Sequence, residues 1–345
     1  MRYLLIGNYG VGNLGDEALR GYFLDAFPAA PCSDAKASTT GEVEWVVVST
    51  DVPRLPLGAR SFFGTPWWKT VRAYVKSDGI VFGGGSLFTD SESIKAPLLW
   101  WWHAVVAWVF RKPIFLAFQG VGPFRTTLGE WLTRWVVQHA TFVSVRDRAS
   151  FDRVRQWRSD IVLTFDPVLI SLSSAEYPPH WGGMKGGGGD LFDPLSLSLS
   201  PREREMLVVI PRSNSGAVFI DRALAIYNQQ SFDHVLILSL QPNCSCEKAV
   251  CKKIQEHIPP AQILSVHSLS EFSHIMVSAS FILSQRYHGA LAALALGVPF
   301  ETMAQAEGDK LSMLKNTSKE EALKLVQDGE HALRLVLLRR ASQNI

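Results

Sequence analysis

Short apolar runs recur along the whole chain, and they constrain the fold more than any other feature of the sequence. Examples are RYLLIGN at 2–8, GIVFGGG at 79–85, PIFLAFQG at 113–120, MLVVIPR at 206–212 and SFILSQR at 280–286. Each run is apolar almost throughout rather than alternating, which is typical of strands buried on both faces of a parallel sheet. Segments with apolar residues at helical spacing lie between the runs. This alternation predicts an α/β fold with open, doubly wound sheets.

The length of the chain and a break in this pattern predict two domains. A chain of 345 residues is long enough for two domains of ordinary size. The alternation stops at 171–205, a segment rich in Gly, Pro and Ser that is predicted to be a linker with an insertion. We therefore expect two facing Rossmann-like domains with parallel sheets, at 1–170 and 206–317. They are followed by a helical tail at 318–345, which we expect to pack back across the first domain.

Charge and hydropathy exclude several classes of protein. A net charge of +2 is too small to indicate nucleic-acid binding. The apolar segment at 96–110 is shorter than the about 20 residues of a membrane-spanning helix, and His103 interrupts it. No signal peptide is recognisable at the start of the chain, so we expect a cytoplasmic protein. The run Trp100-Trp101-Trp102 is interpreted as part of a buried helix or, alternatively, as a contact with lipid or sugar.

The sequence gives no indication of a metal site. Cys244, Cys246 and Cys251 form a C-x-C-x4-C cluster whose spacing does not fit a structural zinc site. No D-x-D motif occurs in the chain. We expect the cysteines to be reduced thiols on a surface helix, and we predict that the protein holds no metal.

A glycine-rich segment, GNYGVGNLGDEAL at 7–19, follows the first apolar run. Ligands of open α/β sheets bind beyond the carboxyl ends of the strands, where this segment is placed. Its glycines let backbone N–H groups approach a ligand, and the helix that starts near Gly15 offers its N-terminus to an anion. Asp16 and Glu17 lie in the first turn, where carboxylates either cap the helix or take part in catalysis. G-x-G-x-x-G is present, but the acidic residue after the second strand comes later than a dinucleotide site requires.

Two further glycine-rich loops are predicted, GGGSLFTD at 83–90 after the apolar run that begins at Gly79, and QGVGPF at 119–124 after the run that begins at Pro113. Three such loops at one edge of a sheet indicate a binding face. Charged residues end two further apolar runs of the first half, TFVSVRD at 141–147 and IVLTFDP at 161–167. We expect Arg146 and Asp147 to form an ion pair at the domain interface, and Asp166 to cap or hinge the linker.

The second half carries basic residues where two of its strands end. Arg212 follows the first strand of this half, and Arg286 follows the fourth, within SQRYHG. Arginine suits the bidentate recognition of phosphate or carboxylate. His288 and Gly289 lie where a helix begins and presents N–H groups. A lone histidine there caps the helix, but together with the two arginines it indicates a compact anion site.

These segments together resemble the polysaccharide pyruvyl transferases. The resemblance rests on GNYGVGNLGDEAL, VFGGGSLF, AFQGVGPF, SVRDRAS, Arg212 and SQRYHGALAALALGVP, which occur in the order of the family. It spans roughly 1–170 and 206–315. The segment ETMAQAEGDKLSML departs from the family pattern, because it lacks an aromatic-Asp pair and keeps only Lys310.

The resemblance implies a fold like that of GT-B glycosyltransferases and transfer from phosphoenolpyruvate to a sugar of a cell-surface polysaccharide or lipid-linked glycan. The product is a pyruvate ketal, phosphate is released, and no cofactor is needed. One base and one acid are required. We assign the base to Asp16, with Glu17 second, and we assign phosphate binding and proton donation to His288, whose ordinary pKa suits either role. The predicted donor-binding residues are Arg212, Arg286, His288 and Gly289, and the predicted acceptor-binding residues are Asn8, Gly12, Asn13, Gly84, Gly85, Ser86 and Gln119.

Two alternatives remain open at this stage. A nucleotide-sugar glycosyltransferase of the same fold would bind its nucleotide in the second domain, where Glu301, Glu307 or Asp309 would contact the ribose. A non-catalytic protein of a glycan-assembly complex is the other alternative. We also expect contact with the inner face of a membrane, and no contact with nucleic acid.

Overall fold

The computed structural model describes residues 1–27, 43–91, 93–173, 205–241, 243–304, 311–314 and 316–339. Residue contacts divide the chain into two compact units, one formed by Met1–Val168 with Glu320–Ile345 and the other by Leu169–Lys319. Most of the predicted linker, Cys32, and the segment with Glu307, Asp309 and Lys310 lie outside the described residues.

The first unit is built on a six-stranded parallel sheet in the order β2-β1-β3-β4-β5-β6. Its strands are Arg2–Ile6 (β1), Glu44–Val47 (β2), Gly79–Phe88 (β3), Ile114–Val121 (β4), Phe142–Val145 (β5) and Val162–Leu163 (β6). All eight residues of β4 are buried, as expected for a strand covered by helices on both faces. The helices before the linker are Leu14–Ala26 (α1), Ala59–Gly64 (α2), Trp68–Lys76 (α3), Lys95–Val109 (α4), Thr127–His139 (α5), Arg148–Val154 (α6) and Val168–Ser173 (α7).

The second unit contains a five-stranded parallel sheet in the order β11-β10-β7-β8-β9. Its strands are Met206–Ile210 (β7), His234–Ser239 (β8), Gln262–Ser265 (β9), Phe281–Ser284 (β10) and Phe300–Thr302 (β11). The remaining helices are Ala217–Gln229 (α8), Ser245–His257 (α9), Leu269–Val277 (α10), Tyr287–Leu296 (α11), Leu311–Leu314 (α12) and Lys319–Arg339 (α13). The predicted class, α/β with two parallel sheets, is confirmed.

Each sheet has a point at which the strand order reverses. In the first sheet β1 lies between β2 and β3, and in the second β7 lies between β8 and β10. The loops that leave two such neighbouring strands diverge to opposite faces, and the crevice left between them is where ligands of these folds bind. Ile6 pairs with Phe82 at the end of β1, so the loop after Gly7 lies beside the glycines that follow Phe82.

The C-terminal helix α13 belongs to the first unit. The Tyr3 hydroxyl donates to the Leu337 carbonyl oxygen at 3.0 Å, and the Tyr22 hydroxyl donates to Glu330 Oε2 at 2.8 Å. A side chain at Gly329 would collide with Thr164, so the helix approaches the sheet closely at this glycine. One stripe of the helix is fully buried, formed by Ala322, Val326, Leu333 and Leu337.

Helix α4 contains the predicted tryptophan run. Trp100 is buried, whereas Trp102, two residues further along the helix, is exposed, so the run contributes to the core on one side only. Among the helices of the described residues, none combines the length and the apolarity that crossing a bilayer would require.

His103 of α4 is fully buried and neutral. Its Nε2 accepts a hydrogen bond from the Leu55 backbone N–H at 3.3 Å, which leaves Nδ1 to donate to the Tyr74 hydroxyl oxygen at 2.7 Å. The Tyr74 hydroxyl in turn donates to the His103 carbonyl oxygen. Burial, and secondarily the charge of Arg54, lowers the pKa of His103 to about 3.

We expect the stability of the first unit to fall in acid because of His103. Below pH 6.5, the ordinary pKa of histidine, His103 binds a proton in the unfolded chain but not in the folded chain. The free energy of unfolding therefore falls by about 1.4 kcal/mol for each pH unit between about 6.5 and about 3. Urea unfolding of His103→Gln should therefore give a free energy of unfolding that falls less steeply between about pH 6.5 and about pH 3. The difference in slope from the wild type should be about 1.4 kcal/mol for each pH unit. His139→Gln, at an exposed position of α5, should keep the wild-type slope, and an unchanged slope in His103→Gln would contradict the assignment.

Candidate functional site

The loop after β1 is built by glycines and an asparagine cap. Gly10 and Gly12 have φ angles of 78° and 76°, in the left-handed region that favours glycine. Asn13 caps α1, because its side-chain oxygen accepts a hydrogen bond from the Gly15 backbone N–H at 3.3 Å. The loop therefore returns to the sheet edge and places the first turn of α1 there.

Asp16 is held at this edge by two side-chain amides. Its Oδ2 accepts hydrogen bonds from Asn8 Nδ2 at 3.0 Å and from Asn13 Nδ2 at 2.8 Å. A Cβ atom added at Gly85, whose φ is 86°, would lie 3.4 Å from Asp16 Oδ1. The side chain is 9% exposed. The structure thus brings together four predicted residues from both sides of the β1–β3 crevice and fixes one carboxylate among them.

Glu17 has a different environment. Its Oε1 accepts a hydrogen bond from the Gly10 backbone N–H at 2.6 Å, and its Oε2 forms an ion pair with Arg20 at 2.8 Å. These contacts close the glycine loop. Of the two carboxylates that the sequence left open, Glu17 is thus engaged within the loop, whereas Asp16 is held at the sheet edge by Asn8 and Asn13.

Arg54 lies beside Asp16 and was missed by the sequence analysis. Its Nη2 donates to Asn8 Oδ1 at 3.2 Å and to the Tyr9 carbonyl oxygen at 3.1 Å, and the guanidinium lies 5.3 Å from the Trp100 ring centroid. Its Nε is buried and has no hydrogen-bond partner among the residues that the structure describes. Burial lowers the pKa of Arg54, and the charge of Asp16 opposes that shift. The site therefore holds a carboxylate and a cation.

The glycines within β3 make room for the residues of this loop. A Cβ atom at Gly83 would collide with the Tyr9 hydroxyl, which donates to the Gly83 carbonyl oxygen at 2.8 Å. Burial, and then the charges of Asp16 and Glu17, raises the pKa of Tyr9, so its hydroxyl remains a donor. The GGG motif is thus explained by close approach of the neighbouring loop.

Gln119 lies inside the sheet. It is fully buried, and its Nε2 donates to the carbonyl oxygens of Phe82 at 2.8 Å and Ala117 at 3.1 Å. This environment gives Gln119 a role in fixing the ends of β3 and β4. Its contact with an acceptor stays a prediction.

A buried ion pair links the ends of three strands. Arg146, after β5, pairs with Asp166, after β6, and both side chains are fully buried. Arg146 Nη2 also donates to Ser86 Oγ at 2.9 Å at the end of β3. The expected pair of Arg146 with Asp147 is wrong, because Asp147 caps α6 and accepts from the Ser150 backbone N–H at 2.7 Å. Adjacent sequence positions here face different partners.

In the second unit the loops after β7 and β10 are tied together. Ile210 pairs with Ser284 in the sheet, so the next residues of the two strands lie side by side. Ser215 Oγ accepts from the Arg212 backbone N–H at 2.8 Å and donates to the Gln285 side-chain oxygen. The half-buried side chain of Arg212 is therefore carried by a loop fixed at the point where this sheet reverses its strand order.

Arg286 braces the same edge. Its Nε donates to the Pro211 carbonyl oxygen at 3.1 Å and its Nη2 to Gln241 Oε1 at 3.0 Å, and it forms an ion pair with the fully buried Glu247. Glu247 also accepts from Ser239 Oγ at 2.9 Å. Because a carboxylate already compensates its charge, these contacts favour a positioning role for Arg286 over the predicted direct contact with a donor.

His288 and Gly289 begin helix α11. His288 is partly exposed, whereas Gly289 is buried. A Cβ atom at Gly289 would collide with Ser284 Oγ, so this glycine lets the helix pack on β10. The Gly289 N–H donates to the Arg286 carbonyl oxygen at 3.2 Å. His288 thus lies at the positive end of a helix dipole, whereas contact of Gly289 with a donor stays a prediction.

The second unit also contains Glu301, which the alternative glycosyltransferase would use to contact a ribose, and the cysteine cluster. Glu301 on β11 forms a bidentate pair with Arg222, with distances of 2.8 and 2.7 Å. Cys251 is buried in α9, where burial raises its pKa to about 11, while Cys246 is exposed. Only part of the cysteine cluster therefore lies on the surface of the helix, and no group of possible metal ligands occurs among the described residues.

Comparison with known proteins supports the fold. The UDP-GlcNAc 2-epimerase of Methanocaldococcus jannaschii has 12% identity and a TM-score of 0.56, over 98% of this chain and 99% of that one. A co-structure of Staphylococcus aureus MnaA with UDP has 11% identity and a TM-score of 0.56, over 97% and 87%. Anabaena HepE in complex with UDP has 10% identity and a TM-score of 0.52, over 97% and 95%. At these identities the likeness shows the fold alone, which is GT-B-like.

Sequence comparison identifies the family. No curated protein matches the chain. The family model for polysaccharide pyruvyl transferase matches residues 13–301, which include Asp16, Gly85, Arg212 and His288. The match covers well over half of the chain. The chain therefore belongs to the polysaccharide pyruvyl transferase family.

Proposed function

We propose that this protein transfers the pyruvyl group of phosphoenolpyruvate to a sugar of a polysaccharide or lipid-linked glycan, forming a pyruvate ketal and releasing phosphate. The observation that carries the proposal is the fixed carboxylate of Asp16 at the β1–β3 crevice, held by Asn8 and Asn13 beside Gly85. Membership of the pyruvyl transferase family supports the reaction class.

The reaction requires one base and one acid. A sugar hydroxyl adds to C2 of phosphoenolpyruvate as its proton passes to Asp16, and C3 takes up a proton and becomes a methyl group. A second hydroxyl of the sugar then replaces the phosphate at C2. The C2–O electron pair and one proton leave with the phosphate, so two hydroxyl protons account for the new methyl hydrogen and the protonated phosphate. No cofactor or metal takes part in this scheme.

Arg212 and His288 are the groups that we assign to the donor. Phosphoenolpyruvate is small and carries a phosphate and a carboxylate, which need cations and N–H donors. Arg212 is carried by a loop that Ser215 fixes, and His288 lies at the start of α11. We assign proton donation to His288 because a histidine side chain placed beside the anion can act as a general acid. Arg286 positions this edge through Glu247.

The acceptor is assigned to the first unit. A carboxylate beside a glycine-lined edge would repel a phosphate but suits a sugar hydroxyl that is about to lose its proton. We place the acceptor beside the acceptor-binding residues that the sequence predicted near β1 and β3. Arg54 is added to these residues. The partners are phosphoenolpyruvate and a glycan or lipid-linked saccharide, and we place the protein in the cytoplasm, in contact with the inner face of a membrane.

We expect Arg212→Ala and His288→Ala each to weaken phosphoenolpyruvate binding by about tenfold or more, because each removes a charged or polar contact to an anion. Isothermal titration of each variant measures this. Arg222→Ala is the matched control, since it removes an arginine of the same unit that is paired with Glu301. Wild-type affinity in both Arg212→Ala and His288→Ala would contradict the donor assignment. Binding of UDP with no response to phosphoenolpyruvate would favour a nucleotide-sugar glycosyltransferase, and binding of neither would favour a non-catalytic protein.

A further inference from the structure

Helices α2 and α3 expose apolar side chains that a helix of a globular domain ordinarily buries. Phe63 is 88% exposed, Trp68 is 68% exposed and Phe62 is 45% exposed. Helix α2 buries none of its residues. We call this the aromatic–basic surface and define it by Leu57, Arg60, Phe62, Phe63, Trp67, Trp68, Lys69, Arg72, Val75 and Lys76.

The aromatic rings of this surface form one cluster. The ring centroids of Trp67 and Trp68 are 3.9 Å apart in a stacked arrangement, and those of Phe62 and Trp67 are 4.6 Å apart. Phe63 contacts Phe62 edge to face. The exposed rings therefore form a continuous apolar patch across α2 and α3, unlike the single exposed apolar residues that are common on protein surfaces.

Helix α3 is fixed to the unit by its opposite side. Thr70 and Tyr74, one turn apart, are fully buried. The Thr70 hydroxyl donates to the Pro53 carbonyl oxygen, and the Tyr74 hydroxyl bonds to His103. With these two residues facing inward, Lys69, Arg72 and Val75 project outward.

The charge of the segment is of one sign. Arg60, Lys69, Arg72 and Lys76 are all exposed, and the sequence has no Asp or Glu between Asp51 and Asp78. Aromatic and aliphatic side chains flanked by Lys and Arg are typical of helices that lie in the interface of an anionic membrane. Each basic residue near such a surface adds attraction to the acidic lipids.

A second exposed apolar segment lies next to the end of α3. Lys112 Nζ donates to the carbonyl oxygens of Val75 at 3.0 Å and Ser77 at 2.6 Å, so the chain just after α4 meets the C-terminal end of α3. Trp108 and Val109, at the end of α4, are 54% and 62% exposed. Exposed apolar side chains and a lysine are thus also found beyond the C-terminal end of α3.

We propose that the aromatic–basic surface docks on a membrane that contains anionic lipids. The apolar rings enter the interface, and the four basic side chains contact acidic headgroups. The surface follows Arg54 directly in the chain, so, if the proposed function holds, a lipid-linked acceptor would be met close to Asp16. Docking itself does not depend on the donor or on turnover.

The test is co-sedimentation of the full chain with vesicles of phosphatidylcholine alone or mixed with phosphatidylglycerol. We expect binding to the mixed vesicles that weakens as salt is raised. Two double variants test the surface: Phe62→Ser with Phe63→Ser, and Lys69→Glu with Arg72→Glu. We expect each to lower the affinity for the mixed vesicles by at least about tenfold. The matched controls, Leu24→Ser with Leu335→Ser and Lys252→Glu with Lys253→Glu, change exposed residues elsewhere and should bind like the wild type. Thermal unfolding confirms that each variant folds.

Three outcomes would overturn the proposal. The first is wild-type vesicle binding in both surface variants, and the second is equal binding to both kinds of vesicle. The third is evidence that something other than a membrane covers the surface. Either the Phe62 and Phe63 variant converts a dimer to a monomer in size-exclusion chromatography, or a single-stranded oligonucleotide binds this surface while vesicles do not. A failure to bind phosphoenolpyruvate would leave vesicle binding intact, so failure of the proposed function is distinguishable from failure of this inference.

Discussion

Replacing Asp16 by asparagine should lower the rate of pyruvyl transfer by about a hundred- to ten-thousandfold, the range that a general base contributes. Asparagine has nearly the same shape, and its oxygen still accepts from Asn8 and Asn13, but it cannot take a proton from the attacking hydroxyl. Donor affinity should remain nearly unchanged, because the residues that we assign to the donor belong to the second unit. Phosphate release in the presence of an acceptor, together with calorimetric titration of phosphoenolpyruvate, separates the two effects.

The control for Asp16→Asn is Glu17→Gln. Glutamine retains an oxygen that accepts from the Gly10 N–H but loses the ion pair with Arg20. We expect a modest loss of rate, because this residue closes the loop without acting as the base. If Glu17→Gln abolished turnover while Asp16→Asn retained it, the assignment of the base would be reversed. Unaltered turnover in Asp16→Asn would reduce this residue to a structural element of α1.

Arg146→Ala should destabilise the first unit by about 3–5 kcal/mol, because it leaves the carboxylate of Asp166 buried without its cation. The same substitution removes the hydrogen bond to Ser86 at the end of β3, so the edge of the candidate site should loosen as well. Urea unfolding followed by circular dichroism measures the loss. Arg148→Ala is the control, since its pair with Asp152 is exposed and should contribute at most about 1 kcal/mol.

A second substitution tests the cause of this loss. If the buried charge of Asp166 is responsible, the double variant Arg146→Met with Asp166→Leu should be more stable than Arg146→Ala, because no charge is left buried. If Arg146→Ala and the double variant were equally unstable, the loss of stability would be due to packing and not to the buried charge. A loss in Arg146→Ala that is no larger than that of Arg148→Ala would contradict the account of the buried pair.

The strands of both sheets were predictable from the sequence. Observed strands overlap all five apolar runs, because burial on both faces leaves an uninterrupted apolar run: RYLLIGN, GIVFGGG, PIFLAFQG, MLVVIPR and SFILSQR. The glycine motifs were visible in the sequence, and the close approach of Tyr9 to Gly83 and of Asp16 to Gly85 explains why β3 carries them. The predicted loops at 83–90 and 119–124 are wrong in their bounds, because residues 83–88 continue β3 and residues 119–121 continue β4.

The partners of buried charges were not predictable. Arg286 pairs with Glu247 across 39 positions of the chain, and Arg146 pairs with Asp166 across 20. Nothing local marks such a pair, because the ionic contact is made by the tertiary fold. Arg54 was missed for the same reason. Its only signal is that it comes soon after the second strand, where residues of an open sheet meet ligands. By contrast, the return of the helical tail to the first unit agrees with the expectation, and hydrogen bonds from Tyr3 and Tyr22 fix it there.

The most direct measurement is calorimetric titration of the wild-type chain with phosphoenolpyruvate and, separately, with UDP. The proposed function predicts that phosphoenolpyruvate binds with a submillimolar dissociation constant and that UDP gives no binding heat. Saturable binding of UDP, with no response to phosphoenolpyruvate, would contradict it.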